Sequence, residues 1–287
     1  MKGFGTLLGK RKKVALSVYM TDKVLRVLGL DRAKRPLFDP IEVFWENESY
    51  EEKVKILSRV VETNGLKGEK VISCIPANEG ILKLHRFPTA MTKKDLMEAI
   101  EWQVRTETQK IKEETIHDYY FLEESDEKYV RVVMIIARGS SVKRLTEILE
   151  KAGLKPEVVD YEINAIINFG LYNRLSSPFS ILYVDYHEGV LTYYSKDSIS
   201  YNKTDFNYLL YRETKDNQLL NAFLVDIRNQ LVINEISNIY LAGPIISDES
   251  TLETVMTSLP VMGILDLERV SPAFFIPFIL SVRYMEE

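Results

Sequence analysis

Cysteine is almost absent from this sequence: Cys74 is the single one in 287 residues. One thiol excludes an internal disulfide, and its place in the apolar run Val71-Ile72-Ser73-Cys74-Ile75 marks it as a small core residue in a reducing compartment. Histidine is nearly as scarce. His85, His117 and His187 stand at no metal-ligand spacing, so no metal site is expected. No apolar run approaches the roughly 20 residues that span a bilayer. The formal charge of −5 lacks the basic excess with which a general nucleic-acid binder meets phosphate. A nucleophile elbow is missing too, which leaves no context for Ser-His-Asp chemistry.

What is present is ordinary globular material, 46% hydrophobic and 28% charged, in a length that builds one large domain or two closely joined ones. Residues 1–13 collect Lys2, Lys10, Arg11, Lys12 and Lys13 around Phe4, Leu7 and Leu8. They lack the long apolar core of a secretory signal, so the segment is expected to be retained, either as a solvated tail or as a patch for an anionic membrane surface. Sixteen tyrosines, among them Tyr193, Tyr194, Tyr208 and Tyr211, read either as strand packing or as an amphipathic aromatic interface. Trp45 and Trp102 divide in the same way between core packing and partner contact. The acidic run Glu123-Glu124-Ser125-Asp126-Glu127 reads as a solvated hairpin tip, and the pair Glu286-Glu287 as surface.

Strands and helices alternate. Two β segments, at 14–19 and 24–28, flank the turn Thr21-Asp22-Lys23. Val54, Leu57, Val60 and Val61 recur at helical spacing before the stop Asn64-Gly65. Strands follow around Cys74 and over 81–87. Thr92 with Asp95 then opens a helix striped by Leu96, Ile100 and Val104. Strands at 117–122 and 130–137, a capped helix over 140–152, a strand over 155–161 and a helix marked by Ile163, Ile166, Ile167 and Leu171 complete the first half. After Ser176-Ser177-Pro178 the pattern restarts. Three strands (181–185, 190–195, 199–203) lead into a long helix through Leu220, Phe223, Leu224, Ile227 and Leu231. A strand at 238–242, a helix over 251–258, a strand near 264–267 and an apolar helix from Pro272 end the chain. Such alternation predicts an α/β fold with mixed sheets. Leu16-Ser17-Val18-Tyr19 with its return strand parallels Val184-Asp185-Tyr186-His187 with Val190-Leu191-Thr192-Tyr193, about 170 residues later, which suggests duplication into two lobes.

Three stretches carry a family resemblance: Val71-Ile72-Ser73-Cys74-Ile75-Pro76, Leu84-His85-Arg86-Phe87-Pro88, and the helix from Lys93 through Leu96, Ala99-Ile100 and Trp102. It continues through Ile116-His117-Asp118-Tyr119, Ile136-Ala137-Arg138, Ala152-Gly153-Leu154-Lys155-Pro156, Val158-Val159-Asp160, Val184-Asp185 and Leu241-Ala242-Gly243. In order and spacing the chain resembles the actin-like superfamily, and within it the type IV pilus assembly protein PilM family, a relative of the cell-division protein FtsA. The resemblance implies a duplicated two-lobe fold of the ribonuclease-H-like kind. Residues 1–13 would be a tail, 14–175 a first lobe with an inserted α+β subdomain at about 81–154, and 176–287 a shortened second lobe.

The resemblance also implies a nucleotide clamp between the lobes, made of two Asp-x-Gly hairpins and a Gly-Gly turn. Glycine is needed there because phosphate oxygens approach backbone N–H groups closely, and a carboxylate must sit near Mg²⁺. This chain departs at each point. The first hairpin position reads Ser17-Val18-Tyr19, the second Asp185-Tyr186-His187, and the glycine pair Gly243-Pro244, where proline removes a donor. Only about fifteen residues separate Lys203 from Leu219, where relatives place a helical wall of the cleft. The departures imply a chain that does not hydrolyse ATP and needs no cofactor.

What the resemblance leaves is a cytoplasmic scaffold, peripheral to the inner membrane, of a pilus or secretion machine. An extended N-terminal peptide of a PilN-like membrane partner would dock between the first lobe and its insert, with Trp102, Ile111, Ile116 and Tyr119 as contacts. Other platform proteins and a homo-oligomer stay open as partners. The alternatives are an ATP-binding actin-like switch, a sugar or acetate kinase on the same superfold, for which no catalytic-base motif is found, and the cytoplasmic actin-like part of a type II secretion L protein. The last is disfavoured by the lack of a membrane span after Glu287.

Overall fold

The computed structural model describes residues 14–109, 111–122 and 128–286. The basic segment 1–13, the acidic run 123–127 and Glu287 lie outside the described residues. In chain order the elements begin with β1 (Val14–Met20), β2 (Val24–Asp31), β3 (Ile41–Phe44), α1 (Tyr50–Thr63) and β4 (Lys70–Ile75). Next come β5 (Gly80–Pro88), α2 (Lys93–Thr108), β6 (Thr115–Phe121), β7 (Tyr129–Arg138), α3 (Gly139–Lys151), β8 (Lys155–Tyr161) and α4 (Glu162–Tyr172). The second half holds β9 (Phe179–Val184), β10 (Glu188–Tyr194), β11 (Ile199–Asp205), α5 (Tyr208–Thr214), α6 (Asn217–Ile233), β12 (Ile239–Ala242), α7 (Glu249–Ser258), β13 (Val261–Ile264) and α8 (Phe275–Glu286).

Two five-stranded sheets repeat one order. The first runs β3-β2-β1-β4-β8 and the second β11-β10-β9-β12-β13. In each, an antiparallel hairpin leads and two parallel strands follow. Between the parallel strands of each lobe a helix crosses over, α3 in the first and α7 in the second. The third sheet, β5-β7-β6, belongs to the insert and carries α2 on one face, where Phe87, Ile100, Val104, Val132 and Met134 form a small separate core.

Local chemistry places the helices. Ser49 and Glu52 form a reciprocal capping box that starts α1, and Leu57 and Val61 turn inward. Thr92 caps α2 by accepting from the Asp95 N–H at 3.2 Å. The expected cap on α3 is absent, since its first residues follow Arg138 with no side-chain acceptor. Helix α3 packs against α1 and β8 and buries Leu145, Ile148 and Leu149 in the main core. The inserted unit therefore comprises β5, α2, β6 and β7, and the chain from 139 onward has returned to the first lobe. Strand β13 ends where a strand near 264–267 was expected; Leu265 and Leu267 are buried beyond it, in irregular chain, which gave that stretch its strand-like look. Neither β3, a half-buried four-residue edge strand, nor α5 had a readable period.

The lobes exchange helices. Helix α4 leaves the first sheet and packs on β9 and β10 of the second, whereas α8 ends the second half and packs on β1, β2 and β4. The two helices cross and touch, with Phe169 edge-on to Phe275 at 5.2 Å, so a single connected core runs through both lobes. Ser17 is completely buried and donates to the Pro277 carbonyl at 2.8 Å while accepting from Ser281 at 2.9 Å, which ties β1 to α8.

Candidate functional site

Two places concentrate chemistry: the junction of the two leading hairpins, and a groove beside the insert.

At the junction a lone arginine stands in a wholly apolar strand, Val24-Leu25-Arg26-Val27-Leu28. Arg26 pairs across the hairpin with Tyr19 and crosses to the other lobe. It is 0% exposed and makes a bidentate pair with Asp185, with Nη1 to Oδ2 at 2.7 Å and Nη2 to Oδ1 at 2.6 Å. Its Nε donates to Glu42 on β3 at 2.7 Å. Asp185 also accepts from the Tyr183 hydroxyl at 2.9 Å and from the Tyr186 backbone N–H at 2.7 Å. A carboxylate has about four acceptor positions, and these four donors occupy them all. Burial pushes the Asp185 carboxyl up, but the Arg26 charge and the hydrogen bonds outweigh it and hold the group below its ordinary range. The Arg26 guanidinium lies 5.1 Å from the Tyr186 ring centre, and the Tyr186 hydroxyl returns to the second Glu42 oxygen at 3.2 Å.

The remaining positions singled out from the sequence serve packing or structural hydrogen bonds, except His187, whose two ring nitrogens are buried without a hydrogen-bond partner. Tyr19 is buried and donates to Glu162 at 2.9 Å, and the other Glu162 oxygen accepts the Ala77 N–H at 2.8 Å. Full burial, with Glu188 as a second cause, pushes the Glu162 carboxyl up to about 7. His187 lies 3.4 Å from Glu46, but burial and Lys23 push its pKa down, so the ring is neutral near pH 7 and the contact is not an ion pair. Gly243 has φ +91°, and a Cβ there would stand 2.5 Å from the Val184 carbonyl, so its glycine is explained by how closely the chain leaving β12 passes the end of its parallel neighbour β9. Pro244 follows, buried, at the start of a 3₁₀ turn. Trp45 is a core residue whose indole N–H donates to the Thr21 carbonyl at 3.0 Å.

The groove, with a volume of about 450 Å³, runs between β6 of the insert and β8 of the first lobe. Each of these is the outermost strand of its sheet. Ile75, Ile135, Ala137 and Val142 give it an apolar floor. A polar chain crosses one end: the Tyr120 hydroxyl donates to Asn164 at 2.8 Å, Asn164 to Asp160 at 2.7 Å, and Arg283 of α8 pairs with Asp160. Strand parity sorts the tyrosines. Tyr119 turns into the core under α2, where its hydroxyl meets the Met97 sulfur at 3.4 Å, whereas Tyr120 turns toward the first lobe. Ile116, on the same parity as Tyr120, is 48% exposed and lines the groove, and the Tyr119 segment forms its wall. Trp102 is 60% exposed on α2, and neither it nor Ile111 lines the groove.

Two copies of one five-strand order, each led by a hairpin, with helices exchanged between the lobes, decide the architecture. The chain has the actin-like fold. Across 96% of its length it superposes on a chain of a solved PilM-PilN type IV pilus biogenesis complex, all of which is covered, with a TM-score of 0.73 at 14% identity. It also superposes on the ethanolamine utilization protein EutJ from Carboxydothermus hydrogenoformans, over 93% of this chain and 88% of that one, with a TM-score of 0.53 at 8% identity. No protein-family model matches the sequence, and no curated protein matches it. Among the described residues no group of three or more metal-ligating side chains converges, and no helix is long and apolar enough to cross a membrane.

Sequence reasoning missed Arg26, Glu42, Glu162, Tyr120 and Arg283. The one available signal was Arg26 itself, a charge inside a strand with apolar residues on both sides, because arginine is almost never fully buried without a partner.

Proposed function

We propose that this chain is a non-catalytic scaffold that docks an extended peptide from a membrane-anchored partner, and that it works without nucleotide. The observation that carries the docking is the groove between the outermost strands of two sheets. An outermost strand has main-chain donors and acceptors to offer an added strand, and the apolar floor offers pockets for alternate side chains. Asp118, exposed on β6 at the rim, favours a basic residue in the peptide. One solved structure on which the chain superposes is a PilM-PilN complex, so a PilN-like cytoplasmic tail is the partner proposed, with the chain held at the membrane through it. Ile116, the Tyr119 main chain and Tyr120 are the proposed contacts; Trp102 and Ile111 fall outside this surface.

The residues at the hairpin junction do not fit a magnesium nucleotide. Asp185 has no acceptor position left for a metal-bound water, and the Tyr19 and His187 side chains stand at the two positions where glycine would admit phosphate. At the third position, proline follows the single glycine and withholds its donor.

The test is titration of a labelled peptide copying the tail of a PilN-like membrane protein. Micromolar binding is expected, weakened at least tenfold by Ile116→Arg and by Tyr120→Ala. Binding unchanged by both substitutions refutes the groove, and calorimetric binding of ATP·Mg²⁺ to the unmodified chain refutes nucleotide independence.

A further inference from the structure

We infer that Arg26 is a built-in substitute for metal-bound nucleotide as the tie between the lobes, so that their closed arrangement is a permanent property of this chain. The two leading hairpins are equivalent parts of the duplicated lobes, and Arg26 and Asp185 join one to the other. A cation bridging a carboxylate at this junction supplies the same kind of attraction a metal would, with no dissociable part. The contacts form a closed circuit: Arg26 to Asp185, the Tyr186 N–H on Asp185, the Tyr186 hydroxyl on Glu42, and Glu42 back to the Arg26 Nε. Lobe separation breaks this circuit at two points, the Arg26–Asp185 pair and the Tyr186–Glu42 hydrogen bond. A buried bidentate pair whose acceptor positions are all filled has one geometry, and so fixes the arrangement of the lobes it joins.

A second tie stands apart from the first. Tyr161 of β8 donates within hydrogen-bond distance of the Ala77 and Gly80 carbonyls, and its hydroxyl lies 3.1 Å from that of Tyr201 on β11, which itself reaches Gly80 at 3.2 Å. The second lobe is thus also fastened to the base of the insert. If the docking reading above is right, the groove wall made by β8, α4 and α8 is preformed, and binding spends little on ordering it.

Spin labels on Arg59→Cys and Asn229→Cys, both exposed and on helices of opposite lobes, report the interlobe distance in the full chain, while Cys74 stays buried and unlabelled. A single narrow distance distribution is expected, identical with and without millimolar ATP·Mg²⁺. Arg26→Met should broaden it toward longer distances. Should that variant fail to fold, the Arg26→Met/Asp185→Asn pair, which leaves no orphan charge, should fold and broaden it likewise. A narrow, unshifted distribution in the double variant overturns the inference, as does a shift of the unmodified chain on adding ATP·Mg²⁺. Failure of the peptide titration would sink the docking reading alone and leave this result standing.

Discussion

Removing Arg26 should be the most costly single change to a charged side chain in this molecule. Arg26→Met keeps the length and apolar stem of the side chain but leaves Asp185, with 7% of its side chain exposed, facing Tyr183 and Tyr186 without its counter-charge. Breaking a buried pair from one side typically costs about 3–5 kcal/mol. The reverse change, Asp185→Asn, strands Arg26 with only Glu42 and should cost a similar amount. Were the two sites independent, the double variant would cost roughly twice as much. It should instead cost no more than the worse single variant, because no charge is then left alone, giving a coupling of about 3 kcal/mol or more. Urea unfolding at pH 7, with the four proteins compared at equal m-values, measures this cycle. Additive losses would refute the argument, showing that the buried pair contributes no mutual stabilisation. The pH dependence supplies a second reading of the same pair. Asp185 is held below its unfolded pKa of about 3.9, so its contribution is complete above that value and is lost as pH falls through the lower folded value.

Glu162 should act with the opposite sign. Its folded pKa of about 7 lies above the ordinary glutamate value, so the fold favours the protonated form and stability falls as pH rises from about 4.3 through 7. The total is on the order of 3 kcal/mol, and Glu162→Gln should flatten that slope in urea titrations at several pH values; an unchanged slope would count against it. Gly243→Ala meets the Val184 carbonyl at 2.5 Å and a left-handed φ, and should lower stability by ~3 kcal/mol or more, measured by thermal unfolding. Trp102→Ala, at an exposed site outside the groove, should change neither stability beyond about 0.5 kcal/mol nor peptide affinity beyond twofold.

Much of the architecture was legible because it rests on local periods. The hairpins at Val14–Met20 with Val24–Asp31 and at Phe179–Val184 with Glu188–Tyr194 announce themselves by short turns between apolar runs, and α1 by its stripe and its Asn64-Gly65 stop. The groove was legible only as a region. Tyr119 and Tyr120 are adjacent and chemically alike, and which ring faces the first lobe depends on the parity set by pairing with β7. The glycine of Gly243-Pro244 shows why a missing motif needs a structure beside it: it serves a close backbone approach to the end of β9 at a left-handed φ, which the sequence pattern does not express.

From sequence alone came most of the element types, though not β3 or α5, together with the duplication and the departures at Ser17, Tyr19, His187 and Pro244, because these follow from periodicity and from which atoms a residue does or does not possess. Only the tertiary structure decided that α4 and α8 change lobes, that α3 belongs to the first lobe, and that Arg26 meets Asp185. Those two residues lie 159 positions apart. No short-range pattern encodes a contact at that separation; it exists because two copies of one sheet close on each other, and a charge buried by that closure needs a partner on the opposite side.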